Sequence, residues 1–162
     1  MRTATIVLCI LLASCGFQLR GTADVPFDTL YLPGATTGIA LDLKRNIQSG
    51  TRARVVDDPK NAQAILQFTE ETRNKEILSL TGTGRVREFQ LRYRVAFRVH
   101  DGKGGEYLPQ SLIQLTRDVT FNDAEILAKE AEEQLLFRDM QTDMVQQIMR
   151  RLAAARKPTP PQ

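Results

Sequence analysis

A strict alternation of side chains between residues 89 and 100 restricts the fold more than any other feature of the sequence. Its odd positions are all large and apolar, whereas its even positions are polar except at Ala96. The two rows are Phe89, Leu91, Tyr93, Val95, Phe97 and Val99 against Gln90, Arg92, Arg94, Ala96, Arg98 and His100. A period of two over this length is typical of a strand with one buried face and one wet face. The chain is therefore predicted to form a sheet that is apolar on one side only.

Two amphipathic helices are predicted to cover that apolar side. Ile39, Leu43 and Ile47 recur every four positions before Gly50, which indicates a helix of about three turns. A second helix of about 30 residues, or roughly 45 Å, is predicted to start near Asn122, because acidic residues fill its first turns and arginines its last. Its expected apolar stripe consists of Leu127, Ala131, Leu135, Leu136, Met140, Met144, Ile148 and Leu152.

The remaining strands are predicted at residues 29–32, 52–56, 64–69 and 107–121, and the strand at 64–69 is expected to continue at 76–80 after a polar irregularity. This gives the order β-α-β-β-β-β-α. Such a set is best buried as an α+β fold. We expect a two-layer sandwich with a four- to five-stranded, mostly antiparallel sheet and both helices packed on one face. The arginine-bearing face of the sheet is then left uncovered by this chain.

The first fifteen residues have the pattern of a lipoprotein signal peptide. Arg2 precedes an apolar run from residue 4 to 12, which ends in Leu12-Ala13-Ser14-Cys15. This resembles the bacterial lipobox, in which the cysteine thiol receives diacylglycerol and becomes the new N-terminus. The alternative is a buried N-terminal strand that happens to end in cysteine.

The signal peptide sets the predicted organisation of the chain. We expect a removed signal peptide at 1–14, an acylated N-terminus and linker at 15–27, a single α+β domain at 28–156 and a disordered tail at 157–162. Cys9 leaves with the signal and Cys15 carries lipid, so no thiol remains for a disulfide. Apart from that covalent lipid, no cofactor is expected.

Composition argues against an enzyme and against a nucleic-acid partner. The 162 residues carry a net charge of only +3, and they include one histidine and two cysteines. A charge this small is weak support for nucleic-acid binding. His100 is followed by a glycine-rich turn with no candidate nucleophile beside it, so an exposed strand-end residue is the simpler interpretation. We therefore predict a binding protein.

Arginines supply the candidate binding surface. Three lie on the polar face of the predicted strand and two at the hairpin that leads into it: Arg92, Arg94 and Arg98, then Arg85 and Arg87. A guanidinium group presents a planar fork suited to phosphate, so this strip could bind a phosphate-rich glycolipid beside the membrane. The alternative is a solvated strand face whose charge is balanced by Glu70, Glu71 and Glu88.

Three segments resemble the LptE family of lipopolysaccharide-assembly lipoproteins. They are Cys15-Gly16-Phe17-Gln18-Leu19-Arg20-Gly21, Glu88-Phe89-Gln90-Leu91 and Leu127-Ala128-Lys129-Glu130. The similarity runs in order through nearly the whole chain. It implies a non-enzymatic subunit that sits in the lumen of the outer-membrane barrel LptD, helps assemble that barrel, binds lipopolysaccharide and assists its delivery to the outer leaflet.

The resemblance also implies a location and a binding residue. The protein would be lipid-anchored at the periplasmic side of the outer membrane and lie within the barrel lumen. The lysine of the family's Leu-Ala-Lys motif, implicated in lipopolysaccharide contact, corresponds to Lys129. Gly82 stands where some relatives carry arginine, and Arg85, three positions on, is its physical substitute.

Two other functions compete with this interpretation. One is a lipoprotein adaptor or pilotin for another outer-membrane assembly or secretion machine, which would bind a barrel or secretin but no glycolipid. The other is an envelope hydrolase, for which the sequence offers neither a nucleophile nor a base.

Overall fold

The computed structural model describes residues 24–158, which form one sheet and two helices. The elements in chain order are β1 (Thr29–Tyr31), α1 (Gly38–Gly50), β2 (Arg54–Val56), β3 (Ala64–Leu80), β4 (Val86–His100), β5 (Glu106–Thr120) and α2 (Ile126–Ala153). Short 3-10 turns occupy Pro59–Asn61 and Asp123–Glu125. The predicted order of elements is confirmed.

The sheet has five strands in the order β2-β1-β3-β4-β5. The short strands β1 and β2 are parallel, and β1 also runs parallel to the start of β3. The long strands β3, β4 and β5 form an antiparallel meander. Most of the strand pairing is therefore antiparallel, as predicted. Of the four to five strands expected, the sheet has five.

Both helices pack on the apolar face of β4. Leu91, Tyr93 and Phe97 are fully buried there. They share one core with Ile39, Leu43 and Ile47 of α1 and with Met140, Met144, Val145, Ile148 and Leu152 of α2. The predicted α+β sandwich with both helices on one face is confirmed, since the even-numbered row of β4 faces away from this core.

A bulge at Thr69 sets which side chains of β3 face the helices. Phe68 pairs with Phe97 and Glu70 pairs with Ala96, so Thr69 is an extra residue on β3. Without the bulge, strand alternation would turn the residues that follow to the opposite face. Glu71, Arg73 and Lys75 consequently face α2.

Two boundaries differ from those predicted, the start of α2 and the end of the linker. Asn122 caps the 3-10 turn, accepting a hydrogen bond from the Ala124 amide at 3.2 Å, and α2 itself begins four residues later at Ile126 without a side-chain cap. Phe27, placed in the linker by its sequence, is buried in the core and packs edge-on against Tyr107. Arg156, just before the predicted tail, donates its amide to the Tyr107 carbonyl at 3.1 Å.

No helix within residues 24–158 is both long enough and apolar enough to cross a bilayer.

Candidate functional site

One end of the sheet, called the tip below, gathers three of the six candidate binding residues. It comprises the β3–β4 turn at residues 81–85, the first residues of β4, the end of β5 and the first turns of α2. The Phe121 amide donates to the Arg87 carbonyl at 2.9 Å, and Glu88 pairs with Thr120. The Lys129 ammonium donates to the Thr120 hydroxyl at 3.2 Å. Arg85, Arg87 and Lys129 therefore belong to one end of the molecule.

The β3–β4 turn holds Arg85 in a defined position. The Thr81 amide donates to the Arg85 carbonyl at 2.7 Å, and the Thr81 hydroxyl accepts from the Arg85 amide at 3.1 Å. Gly84 lies in the left-handed region at φ +80°, which favours glycine. Within residues 24–158, the guanidinium groups of Arg85 and Arg87 form neither an ion pair nor a hydrogen bond, and both residues are exposed. The two guanidinium groups are therefore available to a ligand.

Lys129 is more enclosed than the two arginines. Its ammonium lies 2.8 Å from a carboxylate oxygen of Glu132, and its side chain is 18% exposed. An ammonium group has three donors, and Thr120 and Glu132 occupy two of them. One donor remains for an incoming anion.

Large apolar side chains are exposed beside these cations. Ile77 and Leu80 near the end of β3 are 59% and 54% exposed, and Leu127 in the first turn of α2 is 82% exposed. The rings of Phe89 and Phe121 pack edge to face, with their centroids 5.2 Å apart. Exposed apolar groups concentrated at one place mark an interaction site more often than scattered ones do.

Ion pairs between α2 and the sheet add to apolar packing, to which Leu136 and Phe137 of its first half contribute as partly buried residues. The Lys75 ammonium lies 2.6 Å from Glu133 of α2 and 4.4 Å from the centre of the Phe89 ring. Arg117 of β5 reaches Asp143 of α2 at 2.7 Å. The buried residues of α2 begin at Met140 and continue to Leu152.

Arg92, Arg94 and Arg98 are not part of the tip; they lie on the open face of β4. Arg92 forms an ion pair with Glu76 at 2.9 Å, Arg94 approaches Glu70 at 3.7 Å, and Arg98 donates twice to Gln67. Glu70 therefore balances arginine charge on this face, as predicted. Glu71 does not, because the Thr69 bulge turns it towards the helices. The open face is polar but largely paired within itself.

The arrangement supports binding of a ligand that carries both phosphate and apolar groups. Free guanidinium groups recognise phosphate, and the neighbouring leucines and isoleucine offer an apolar contact. Among the described residues, no group of three or more histidine, cysteine, aspartate or glutamate side chains could hold a metal ion.

The sequence and the fold of this chain are both similar to those of known proteins. Residues 23–152 match the family model described as LptE, Lipopolysaccharide-assembly. This chain belongs to the LptE family. Membership of this non-enzymatic family of lipopolysaccharide-assembly lipoproteins confirms the prediction that the chain is not an enzyme.

Two LptE relatives named "LPS-assembly lipoprotein LptE" are similar over most of the chain. The one from Yersinia enterocolitica is 31% identical over 144 residues, covering 86% of this chain and 69% of the relative. The one from Photorhabdus laumondii is 27% identical over 143 residues, covering 86% of this chain and 78% of the relative.

Solved structures show the same fold. The solution structure of an uncharacterized lipoprotein B from Nitrosomonas europaea is 46% identical, with a TM-score of 0.74 over 86% of this chain and 91% of that one. The crystal structure of the rare lipoprotein B from Shewanella oneidensis has a TM-score of 0.67 at 24% identity, over 78% of this chain and 94% of that one.

One predicted site residue lies outside the described part of the chain, and one feature of the site was not predicted. Cys15, the predicted lipidation residue, is outside residues 24–158, so its acylation stays a prediction. The exposed apolar groups at the tip were not predicted. Leu127 and Leu135 continue the apolar stripe of α2 and were therefore expected in the core, but both are exposed. The signal that could have found them is the concentration of charge in the first turns of the same helix.

Proposed function

We propose that this LptE-family chain is anchored in the outer membrane through lipid on Cys15 and binds lipopolysaccharide at the tip. It occupies the lumen of an LptD-type barrel, helps assemble that barrel, and assists delivery of the glycolipid to the outer leaflet. Arg85 and Arg87 hold the phosphates, and Lys129 contributes its remaining donor.

The observation that carries the proposal is the pairing of free cations with exposed apolar groups at one end of the molecule. A phosphorylated glycolipid carries anionic phosphates next to acyl chains, so its chemistry is complementary to Arg85 and Arg87 beside Leu80 and Leu127. Arg92 and Arg94, which already have carboxylate neighbours, would make a secondary contribution.

The open sheet face supports the role inside a barrel. The interior of such barrels is polar, and a plug must present polar surface to it. The even-numbered residues of β4 and β5 offer such a surface. The charges of Arg92 and Arg94 are matched by Glu76 and Glu70, and Asp118 accepts a hydrogen bond from the Gln90 amide.

Charge reversal tests the glycolipid site. Arg85→Glu combined with Arg87→Glu is expected to weaken equilibrium binding to purified lipopolysaccharide at least tenfold, and Lys129→Glu to weaken it less. Arg54→Glu is the matched control, because Arg54 is an exposed arginine on β2, the opposite edge strand. Unchanged binding in all three tip substitutions would remove the tip from the proposal.

Co-purification tests the partner separately. The acylated protein in mild detergent is expected to bring down an outer-membrane barrel with the mass of an LptD-type protein, and the tip substitutions are expected to retain it. Recovery of a different barrel or a secretin, together with no affinity for lipopolysaccharide, would instead support the adaptor or pilotin function.

A further inference from the structure

The outer edge of β5 carries a row of backbone groups that the sheet does not use. β5 is the end strand of the sheet. The hydrogen bond from the Phe121 amide to the Arg87 carbonyl fixes the pattern: odd-numbered residues exchange hydrogen bonds with β4, and even-numbered residues direct theirs outward. The outward set is Leu112, Gln114, Thr116, Asp118 and Thr120, all exposed.

Among residues 24–158, this stretch of edge has no proline, bulge or covering segment to oppose strand addition. Proteins block such edges with these features or with charged side chains. Pro109 and the register shift that follows Phe97 in β4 lie before it, and the C-terminal segment reaches the strand only near Tyr107. From Ser111 to Thr120 the register with β4 is regular.

Arg117 is placed across this edge. Its Nη1 donates to the Thr116 carbonyl at 2.9 Å, and its Nη2 donates to Asp143 of α2 at 2.7 Å. The guanidinium group thereby occupies one outward carbonyl at the middle of the free row and is held there from the helix layer. A strand added along β5 would have to displace it.

The side chains along the row are complementary to themselves in antiparallel pairing. With a twofold axis at Thr116, Gln114 lies opposite Asp118 of a second copy and Leu112 lies opposite Thr120. On the other face, Leu115 lies opposite Arg117, and Ile113 and Val119, which are already buried within each copy, lie opposite each other. No like charges meet, and each even-numbered residue would gain two backbone hydrogen bonds, as an isologous interface requires.

We propose that the edge from Leu112 to Thr120 is a strand-addition surface for a second copy of this chain, and that Arg117 keeps it closed in the monomer. Pairing of the two copies would join their sheets into one. The inference concerns self-association and is independent of glycolipid binding at the tip.

The test is the mass of the acylated protein by sedimentation equilibrium in density-matched detergent. The unmodified protein is expected to sediment as one chain and Arg117→Met, which keeps the aliphatic stem, to shift towards twice that mass with increasing concentration. Arg98→Met is the matched control, since it removes a guanidinium group from the central strand β4, and it is expected to stay at one chain.

A second substitution separates edge pairing from non-specific association. Gln114→Pro removes an outward amide from the row and is expected to return Arg117→Met to one chain. Amide exchange at Leu112, Gln114 and Thr116 should slow in the associated form. Asp143→Asn removes the carboxylate that holds the Arg117 guanidinium group but keeps that group. This variant should associate more weakly than Arg117→Met, and it replaces Arg117→Met in the test if Arg117→Met does not fold.

Three outcomes would overturn the proposal. A folded Arg117→Met protein that remains a single chain at the highest soluble concentration is one. Association that persists after Gln114→Pro is the second. A single-chain Asp143→Asn protein, where Arg117→Met does not fold, is the third.

Discussion

The hydroxyl group of Tyr93 links the sheet to the polar contacts beneath α2. It donates to Glu71 at 2.7 Å and accepts from Arg73 at 3.3 Å, and Arg73 also lies over the Tyr93 ring and donates to Gln141 of α2. The Gln141 amide in turn donates to Asp42 of α1 at 2.6 Å. One side chain of β4 thus belongs to a chain of contacts that reaches both helices.

Tyr93→Phe is expected to lower the free energy of unfolding by about 1 kcal/mol, because it removes one hydrogen-bonded hydroxyl while its partially exposed partners can turn to water. Urea denaturation at neutral pH measures this change. A loss of several kcal/mol would contradict the picture of partners that water can reach.

The same substitution tests the alkaline pH dependence. Burial raises the pKa of Tyr93 well above its usual range. The folded state therefore disfavours the tyrosinate. This contribution to stability is present below about pH 10, the pKa of an unfolded tyrosine, and is lost as the pH rises above it. The unmodified protein should lose stability above pH 10 more steeply than Tyr93→Phe; equal slopes would contradict the assignment.

At the scale of elements, the two halves of α2 have different roles. Leu152 in the second half is fully buried, whereas Leu127 in the first half is 82% exposed. The pair allows a comparison with the same residue type. Leu152→Ala is expected to cost about 2–5 kcal/mol of unfolding free energy, and Leu127→Ala less than about 0.5 kcal/mol.

Denaturation of both variants in urea measures the difference. Leu127→Ala should also weaken lipopolysaccharide binding, since it removes an apolar group from the tip without altering the core. Similar losses of stability in the two variants would show that the first half of α2 is packed as tightly as the second.

The elements that local pattern specifies were predictable from the sequence. The alternation from Phe89 to Val99 identified β4 and its buried face, and the spacing of Ile39, Leu43 and Ile47 identified α1. In both cases the side chains that create the pattern are the ones that enter the core, so local sequence and tertiary packing agree.

The features that depend on contacts between distant residues were not predictable. Thr69 carries no local sign that β3 gains a residue there, yet this bulge decides that Glu71 faces the helices. The ion pair between Arg92 and Glu76 follows from the register of β3 on β4, which a single sequence does not reveal. For the same reason, the arginine strip divides into a paired face and a free tip only once the register is known.

At the scale of the whole molecule, the fold has one packed end and one binding end. α1, the second half of α2, β1, the start of β3 and the buried row of β4 form the apolar core. At the other end, the β3–β4 hairpin and the first turns of α2 extend beyond it and are held by ion pairs and by the contact between Phe89 and Phe121. The core stabilises the fold, so the tip can expose apolar side chains without a large loss of stability.

Crosslinking in cells tests most directly whether the tip meets lipopolysaccharide. A photoreactive phenylalanine replaces Leu127 at the tip in one variant and Lys60, an exposed residue of the 3-10 turn before β3, in another. After irradiation, the product is identified with an antibody against lipopolysaccharide. We expect a glycolipid adduct at residue 127 and none at residue 60. Equal labelling at both positions, or labelling at residue 60 alone, would contradict binding at the tip.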